Sequence, residues 1–257
     1  MSGLCLTFDV EEWSTPADYL DNCRFTNNTK FSRDGTIRIL KLLKKHKIKS
    51  TFFVTGYFAE RHKDILKKIS KGGHEIASHS YRDEDHASFS KNTLKHKIRK
   101  SKDILEDITK ENIAGFRLPL FSINSYLFDV LRSLKFKYDS SFHPAIVPGH
   151  YYNIFQKRSK FLKNGITELP VSVIPLLRLP VSWIWMRNLG NTLPNLAALF
   201  NKNLIIYFHA WEFAELPSPA GLPFYITRNT GRKFISQLDN FICKWKNLDF
   251  NRLDGAS

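Results

Sequence analysis

The sequence predicts one α/β domain whose parallel β-sheet closes into a barrel. Short apolar runs alternate with amphipathic runs along the chain, and this alternation is typical of βαβ units. The chain has 257 residues, about the length of one (β/α) barrel. Because neither a linker-like stretch nor an internal repeat divides the sequence, we expect a single domain over residues 1–257.

Apolar periodicity and local composition place the elements. Short apolar runs, several of them rich in β-branched and aromatic side chains, predict strands over residues 4–8, 50–55, 75–78, 113–116, 136–139, 167–173 and 204–208. Apolar residues spaced three and four apart predict helices over 36–46, 58–71, 90–109, 125–134 and 231–245. Ser90 can cap the start of its helix, and Gly72 and Gly73 end the second helix. Residues 142–165 are polar, aromatic and poorly periodic, so we expect a long loop.

The charge balance favours anionic partners. Lysine and arginine number 39 against 24 acidic residues, a net charge of +15 that suits lipid headgroups or phosphorylated carriers. A solvated basic surface would explain the same excess. Since the sequence carries no RNA- or DNA-binding signature, we expect no nucleic-acid partner.

Cysteine usage and the apolar segments narrow the class further. Cys5, Cys23 and Cys243 are too few for a disulfide scaffold, and no CxxC pair exists, which excludes a zinc finger. The N-terminus lacks the pattern of a signal peptide, and the most apolar segment, 171–186, is interrupted by proline and arginine. We therefore expect a soluble cytoplasmic protein, peripheral on the inner membrane face if it meets the membrane.

Reactive side chains stand where predicted strands end. Asp9, His79, Arg117 and His209 each lie at or just after the end of a strand. The carboxyl ends of parallel barrel strands converge on one face, which holds the active site in such folds. The alternation in 9–11 also puts Glu11 on the same side of the extended chain as Asp9. We expect these residues to form one site.

Five segments in order carry a family pattern: LTFDVEEW at 6–13, GHEIASHSY at 73–81, GFRLPLFS at 115–122, YDSSFHP at 138–144 and YFHAWE at 207–212. They resemble the polysaccharide deacetylase (NodB-homology) family, carbohydrate esterase family four, and within it the branch whose first motif reads DVE or DVD. The resemblance spans residue 4 to about residue 245. It implies an irregular (β/α) barrel, a distorted TIM-like fold of about seven strands.

The resemblance also implies an activity and the residues that perform it. The usual reaction of the family removes an N-acetyl group from an amino sugar with one divalent transition metal, zinc or cobalt, manganese or iron. Carried onto this chain, Asp9 is the general base, Arg117 braces it and His209 is the general acid. Glu11 and His79 are metal ligands. The chemistry suits these types, since the metal activates a water, a carboxylate takes its proton and an acid protonates the leaving nitrogen.

The third metal ligand departs from the family pattern. Where the family usually has a second histidine, four residues after the first, this chain has Asp83. Asp83 would give a harder, more anionic donor set than a second imidazole. His86 is the alternative third ligand if the loop is rebuilt, and a site without a working third ligand is the remaining alternative.

Three residues are candidates for substrate binding: Trp211, Pro119 and His143. Trp211 could instead pack at the barrel mouth. The bulky apolar cluster at 183–186 has two interpretations, a core helix running on to residue 200 or an apolar lip that meets lipid or a lipid-linked sugar. The basic segment 95–102 could add charge to such a surface.

The leading hypothesis is a metal-dependent hydrolase of non-peptide C–N bonds, an N-deacetylase of an N-acetylated sugar or a carrier-linked glycan. One alternative is a cyclic amide or imide hydrolase of the same superfamily. The other is a catalytically inactive barrel that binds glycan or an anionic membrane. The presence of Asp9, Arg117 and His209 together argues against an inactive barrel, because binding alone needs no base, brace and acid. The oligomeric state stays open.

Overall fold

The computed structural model describes residues 3–20, 27–147, 151–201 and 203–255, apart from the side chain of Asp18. The strands of the main sheet are β1 (Gly3–Val10), β2 (Thr51–Val54), β3 (Glu75–Ser78), β4 (Gly115–Phe116), β5 (Tyr138–Asp139), β8 (Phe161–Lys163), β9 (Ile166–Glu168), β10 (Asn203–His209) and β11 (Asp249–Phe250). A separate hairpin contains β6 (Ile146–Val147) and β7 (Tyr151–Tyr152). Within the described residues, the main sheet has the order β10-β1-β2-β3-β4-β5-β9-β8, with β11 beside β1.

All neighbours in this sheet are parallel except β8 and β9, which are antiparallel. Helices connect and cover the strands, as expected for βαβ units. In chain order they are α1 (Lys30–His46), α2 (Gly56–Arg61), α3 (Lys63–Lys71), α4 (Lys91–Thr109), α5 (Leu127–Ser133), α6 (Trp183–Leu189), α7 (Thr192–Phe200), α8 (Phe224–Thr227) and α9 (Arg232–Lys244). Among the described residues, no helix has both the length and the apolar character needed to cross a bilayer.

Alternation along β1 separates the two faces of the sheet. Leu4, Leu6 and Phe8 belong to the large core cluster that includes the inner faces of the helices. Cys5 belongs instead to a second, smaller cluster with residues of β2, β3, β5 and β10. Asp9 continues this second side, so the strand delivers its carboxylate to the barrel interior at its carboxyl end.

The chain after β9 links the two edges of the sheet. The Ser172 N–H donates to the Ile205 carbonyl over 2.9 Å, and the Ile205 N–H donates to Ser172 Oγ, also over 2.9 Å. These bonds attach this segment to β10 and curl the sheet into an irregular (β/α) barrel, which confirms the predicted fold class. The short strands β8 and β11 extend the sheet beyond the seven predicted strands.

Several predicted elements differ from the observed ones. The helix predicted over 36–46 begins at Lys30, and the strand predicted over 167–173 ends at Glu168. The helix predicted over 58–71 is two helices, because His62 leaves the helical region with φ −132° and ψ 49° and caps both. The helix predicted to run on to residue 200 breaks at Gly190, where φ is 80°. The predicted loop 142–165 contains β6, β7 and β8, whose two or three residues are too short to show a period of two.

Gly35 allows α1 to contact the turn that follows β10. A Cβ at this position would lie only 1.8 Å from the carbonyl oxygen of Ala210, which directly follows His209. No side chain fits in that space unless the helix and the turn move apart. Gly35 therefore sets how closely α1 supports the end of β10.

We expect Gly35→Ala to lower the free energy of unfolding by about 1–3 kcal/mol, because over-packing outweighs the gain of about 1 kcal/mol from helix propensity. Urea unfolding measures the change. Lys41→Ala, at an exposed position of the same helix, is the matched control and should stay within about 0.5 kcal/mol of the unsubstituted protein. A more stable Gly35→Ala variant would contradict the close approach.

Candidate functional site

The carboxyl ends of four strands meet around one pocket of about 680 Å³. Asp9 of β1 stands beside His209 of β10 in the strand register. His79 follows β3 directly and Arg117 follows β4. Asp9, His79 and His209 line the pocket together with Glu11 and other residues. The structure thus brings together the predicted strand-end residues, and Arg117 lies directly behind Asp9.

Arg117 is fully buried and orients Asp9. Its Nη1 donates to Asp9 Oδ1 over 2.8 Å and to Thr7 Oγ1 over 2.9 Å. Its Nε donates to the Ser140 carbonyl and its Nη2 to Ser140 Oγ, over 3.1 and 3.0 Å. The guanidinium carbon also lies 4.1 Å from the ring centre of Phe53. Because the guanidinium is held on every side, the Asp9 carboxylate has a fixed position at the pocket wall.

Glu11, His79 and Asp83 place one ligand atom each within 4.8 Å of one another. The His79 Nδ1–H donates to the Arg117 carbonyl over 2.9 Å, so Nε2 is left to face Glu11 Oε2 at 3.1 Å. Asp83 Oδ2 accepts a hydrogen bond from Ser14 Oγ over 2.7 Å. An imidazole fixed through its other nitrogen, beside two carboxylates, is a donor set that suits a divalent transition metal.

The electrostatics of this cluster also suit a cation. Burial, with the negative charge of Glu11 next, raises the pKa of Asp83 to about 8. Burial alone would raise the pKa of Glu11 too, but His209, His79 and a hydrogen bond from Trp211 outweigh it and lower that pKa. Two close carboxylates in a buried pocket repel each other, and a divalent cation between them would stabilise both.

His86, the alternative third ligand, lies outside the cluster. Its Nδ1–H donates to the Glu84 carbonyl, and its Nε2 accepts from the Ser80 hydroxyl over 2.7 Å. Burial lowers the pKa of His86 to about 4, so the ring is neutral and both nitrogens are engaged within the loop. The structure therefore places Asp83, rather than His86, with Glu11 and His79.

His209 stands on the opposite side of Glu11. Its Nε2 lies 3.6 Å from Glu11 Oε1, and its Nδ1 lies 3.7 Å from Glu212 Oε2. Burial would lower the pKa of His209, but the charges of Glu11 and Glu212 outweigh burial and raise it to about 9. Glu212 is itself held by Arg187 over 2.8 Å, with both side chains fully buried. Arg187 directly follows the apolar segment 183–186, and no motif in the sequence indicates that it holds Glu212.

Trp211 is 1 % exposed and does not line the described pocket. Its indole Nε1–H donates to Glu11 Oε1 over 3.2 Å, and its ring stacks on His209 with centroids 4.9 Å apart. The prediction that Trp211 binds substrate is therefore corrected: the ring packs behind the site and positions Glu11 and His209. Turn geometry at 210–213 decides this, and the motif alone does not reveal it.

Pro119 is buried and also lies off the described pocket wall. It begins a short 3₁₀ turn, Pro119–Phe121, whose neighbours Leu118 and Leu120 line the pocket. Pro119 therefore shapes the wall instead of forming it, which corrects the prediction of direct substrate contact.

His143 is fully buried against Phe121, Tyr151 and Tyr207. Its Nδ1 is hydrogen-bonded to the Tyr151 hydroxyl, and within the described residues no partner reaches its buried Nε2. Burial, with the charge of Arg117 next, lowers the pKa of His143 to about 3. The ring is thus a neutral packing group behind the pocket wall, and the predicted substrate contact is corrected.

Three bulky residues of the pocket wall have a left-handed backbone. The φ angles are 54° for Leu120, 51° for Phe121 and 51° for Trp183. Such conformations cost non-glycine residues on the order of 1 kcal/mol each and persist where surrounding packing enforces them. The wall is therefore built at some expense of stability, as is common around functional sites.

The sequence model of the polysaccharide deacetylase family matches residues 4–138. The match covers more than half of the chain, and this chain belongs to the polysaccharide deacetylase family. The family prediction is confirmed, while the DVE or DVD branch stays a prediction.

Relatives with assigned names match parts of the chain. The peptidoglycan deacetylase of Helicobacter pylori is 28% identical over 156 residues, which are 58% of this chain and 53% of that protein. A peptidoglycan-N-acetylglucosamine deacetylase of Bacillus cereus is 37% identical over 70 residues, 27% of this chain and 26% of that protein. The chain thus spans about half or less of the length of these relatives.

A solved structure shares the fold over nearly the whole chain. A Mycobacterium smegmatis protein assigned to the polysaccharide deacetylases superposes with a TM-score of 0.70 at 20% identity, covering 99% of this chain and 88% of that chain. At this identity the likeness shows the fold alone.

Buried neutral histidine makes stability depend on pH. His143 has a pKa near 3 in the folded protein and about 6.5 when unfolded, so protons bind the unfolded chain first. The contribution of the neutral His143 ring to the free energy of unfolding is therefore fully present above pH 6.5 and is lost as the pH falls toward 3. We expect His143→Phe to remove this loss.

Urea unfolding of both proteins at pH 7 and pH 5 measures the effect. The difference in unfolding free energy between the unsubstituted protein and His143→Phe should shift by about 2 kcal/mol in favour of the variant at pH 5. His96→Gln, at an exposed histidine of α4, should leave the pH dependence unchanged. If the unfolding free energies of the unsubstituted protein and His143→Phe change equally between pH 7 and pH 5, His143 is not buried as a neutral ring.

Proposed function

We propose that this protein is a metal-dependent hydrolase that removes the acetyl group from an N-acetylated sugar. The meeting of Asp9 and His209 with the Glu11, His79 and Asp83 cluster around one pocket carries this proposal. A base, an acid and a cation-binding donor set around one pocket are what amide hydrolysis requires. The named peptidoglycan deacetylases among the relatives support the same substrate class. A cytoplasmic location and contact with an anionic membrane remain predictions from the sequence.

Glu11, His79 and Asp83 would hold the metal, and deacetylases of this family depend on one. When bound, a divalent cation polarises the amide carbonyl and lowers the pKa of a coordinated water. Two carboxylates and one imidazole form a harder donor set than two imidazoles and one carboxylate. Manganese, iron or cobalt would therefore compete better with zinc here.

Asp9 would act as the base. Arg117 binds Oδ1, which leaves Oδ2 to accept the proton that the attacking water loses. The ion pair with Arg117 keeps the carboxylate in one orientation, so no rearrangement is needed at the moment of proton transfer. Asp9 lines the same pocket as Glu11, His79 and Asp83, which would hold the cation.

His209 would act as the acid. Before a cation binds Glu11, the charges of Glu11 and Glu212 raise the pKa of His209 to about 9, so the ring holds a proton at neutral pH. With a cation on Glu11, Glu212 would have the larger part in keeping that proton. The Nε2–H side faces the pocket at Glu11, and Glu212 supports the opposite nitrogen. Protonation of the departing amine nitrogen by Nε2 would release the free amino sugar.

We expect Asp9→Asn to lower the rate of acetate release from N-acetylglucosamine oligosaccharides by about 10²- to 10⁴-fold, because asparagine cannot accept the proton. Glu12→Gln is the matched control. Burial raises the pKa of Glu12 to about 7, and its Oε2 accepts a hydrogen bond from Thr55 outside the cluster, so most of the activity should remain. Full activity in Asp9→Asn would rule out Asp9 as the base.

Elemental analysis of protein purified without chelator tests the metal site. We expect roughly one transition metal per chain, and none retained by His79→Ala or Asp83→Asn after dialysis. Asp85→Asn changes an exposed carboxylate of the same loop and should keep the metal. No bound metal after soaking in zinc, cobalt or manganese would end the metal-dependent mechanism and favour the imide hydrolase or the binding protein.

A further inference from the structure

A small apolar groove of about 300 Å³ opens beside the candidate active site. Aromatic and aliphatic side chains form most of its wall, among them Trp185, Leu189 and Tyr225. Tyr19, Val147 and Trp183 line both this groove and the pocket that holds Asp9 and His209. The two cavities therefore adjoin each other along these three residues.

Trp183 forms the junction between the two cavities. Its indole packs edge-on against the His209 ring, with centroids 5.1 Å apart. The preceding Ser182 Oγ accepts the Tyr207 N–H over 3.2 Å and so fixes the start of α6 to β10. Trp183 keeps this place at a left-handed φ of 51°, a conformation that tertiary contacts must enforce. The apolar junction is thus a fixed part of the site.

The groove wall has few polar atoms that could bind a second sugar ring. The polar atoms of its described lining residues are tyrosine hydroxyls, indole N–H groups and the amide of Asn188. Asn188 Nδ2 already donates to the carbonyls of Ile184 and Tyr225, over 3.0 and 3.1 Å. Two buried polar atoms of the wall, Asn188 Oδ1 and Trp185 Nε1, have no partner among the described residues, which is fewer than the hydroxyl groups of a sugar ring need. Sugar hydroxyls that lose water here without new partners would cost about 1–3 kcal/mol each. A hydrocarbon chain has no such groups to satisfy.

The surface around the groove is apolar as well. Leu189 at its rim is 57% exposed, and Phe224 next to Tyr225 is 69% exposed. Exposed apolar side chains beside a deep pocket mark a ligand or membrane contact more often than chance.

We propose that this groove binds the aliphatic chain of an amphiphilic substrate, an acetamido sugar joined to a lipid carrier. The sugar occupies the pocket at Asp9 and His209, and the first methylenes of the carrier pass Trp183 into the groove. The inference rests on the proposed function, because it assigns the substrate class of the same site.

Binding of alkyl glycosides tests this proposal without any turnover. The full chain carrying Asp9→Asn is titrated in a calorimeter with butyl, hexyl and octyl N-acetylglucosaminides, each below its micelle-forming concentration. Each two methylenes buried should tighten binding on the order of tenfold. An N-acetylglucosamine trimer without an alkyl chain serves as the comparison ligand.

Variants locate the effect. Adding Trp185→Ser or Leu189→Ser should make the butyl and octyl ligands bind equally, since the groove wall is lost. Leu189 is at the rim, so its substitution tests the groove even if Trp185→Ser unfolds. Leu176→Ser, at a leucine that is 95% exposed and does not line the groove, is the control and should keep the gain with chain length.

Three outcomes would overturn the proposal. These are affinity that ignores chain length, tight trimer binding that Trp185→Ser abolishes, and loss of the chain effect in Leu176→Ser. The second outcome would make the groove a sugar subsite. Chain-dependent binding with no acetate release from the unsubstituted protein would support the inference and overturn the proposed reaction, so the two failures can be told apart.

Discussion

The buried guanidinium of Arg117 is the interaction on which the rest of the site depends. Its side chain binds Asp9 and Thr7 of β1, and its main-chain carbonyl accepts the Nδ1–H of His79. The main-chain N–H of Arg117 donates to the carbonyl of Ser78 in β3 over 3.0 Å. One residue therefore positions both the proposed base and a proposed metal ligand. A buried charge pair of this kind is costly to desolvate, and losing one partner costs about 3–5 kcal/mol, so the pair serves geometry more than stability.

Glu11 has the corresponding role on the other side of the pocket. One oxygen faces His79, while the other receives the Trp211 indole and lies near His209. The same carboxylate thus helps to orient a ligand and to keep the proposed acid protonated. Asp83 is a second carboxylate close to Glu11. Burial, together with the charge of Glu11, raises the pKa of Asp83 to about 8. A cation held by these groups would offset their repulsion and leave the charge on His209 to be set more by Glu212.

The sequence predicts those site residues whose placement follows from the backbone alone. Asp9 could be placed because it ends a strand. Asp83 could be named from its position four residues after His79, but the sequence left His86 as an alternative, and the fold of the loop decides between them. Trp211 and His143 could not, because the same motifs allow a ring to face the pocket or the core, and packing in three dimensions decides between them. The left-handed φ of Trp183 is invisible to periodicity for the same reason. The sequence is thus informative about which strand ends react and silent about which loop side chains enclose them.

That difference has a structural cause. Strand ends carry the proposed chemistry because the hydrogen-bonded sheet holds them rigidly, whereas the irregular connections after β4 and before α6 form the walls. Leu120, Phe121 and Trp183 reach their wall positions through unfavourable backbone conformations. Such conformations persist where packing enforces them, and Phe121 and Trp183 pack with Val171 and Tyr207 in a small apolar cluster. A change in these walls alters the shape of the cavity while leaving the Asp9 and Arg117 pair in place, so a fold of this kind can change its substrate without losing its reaction.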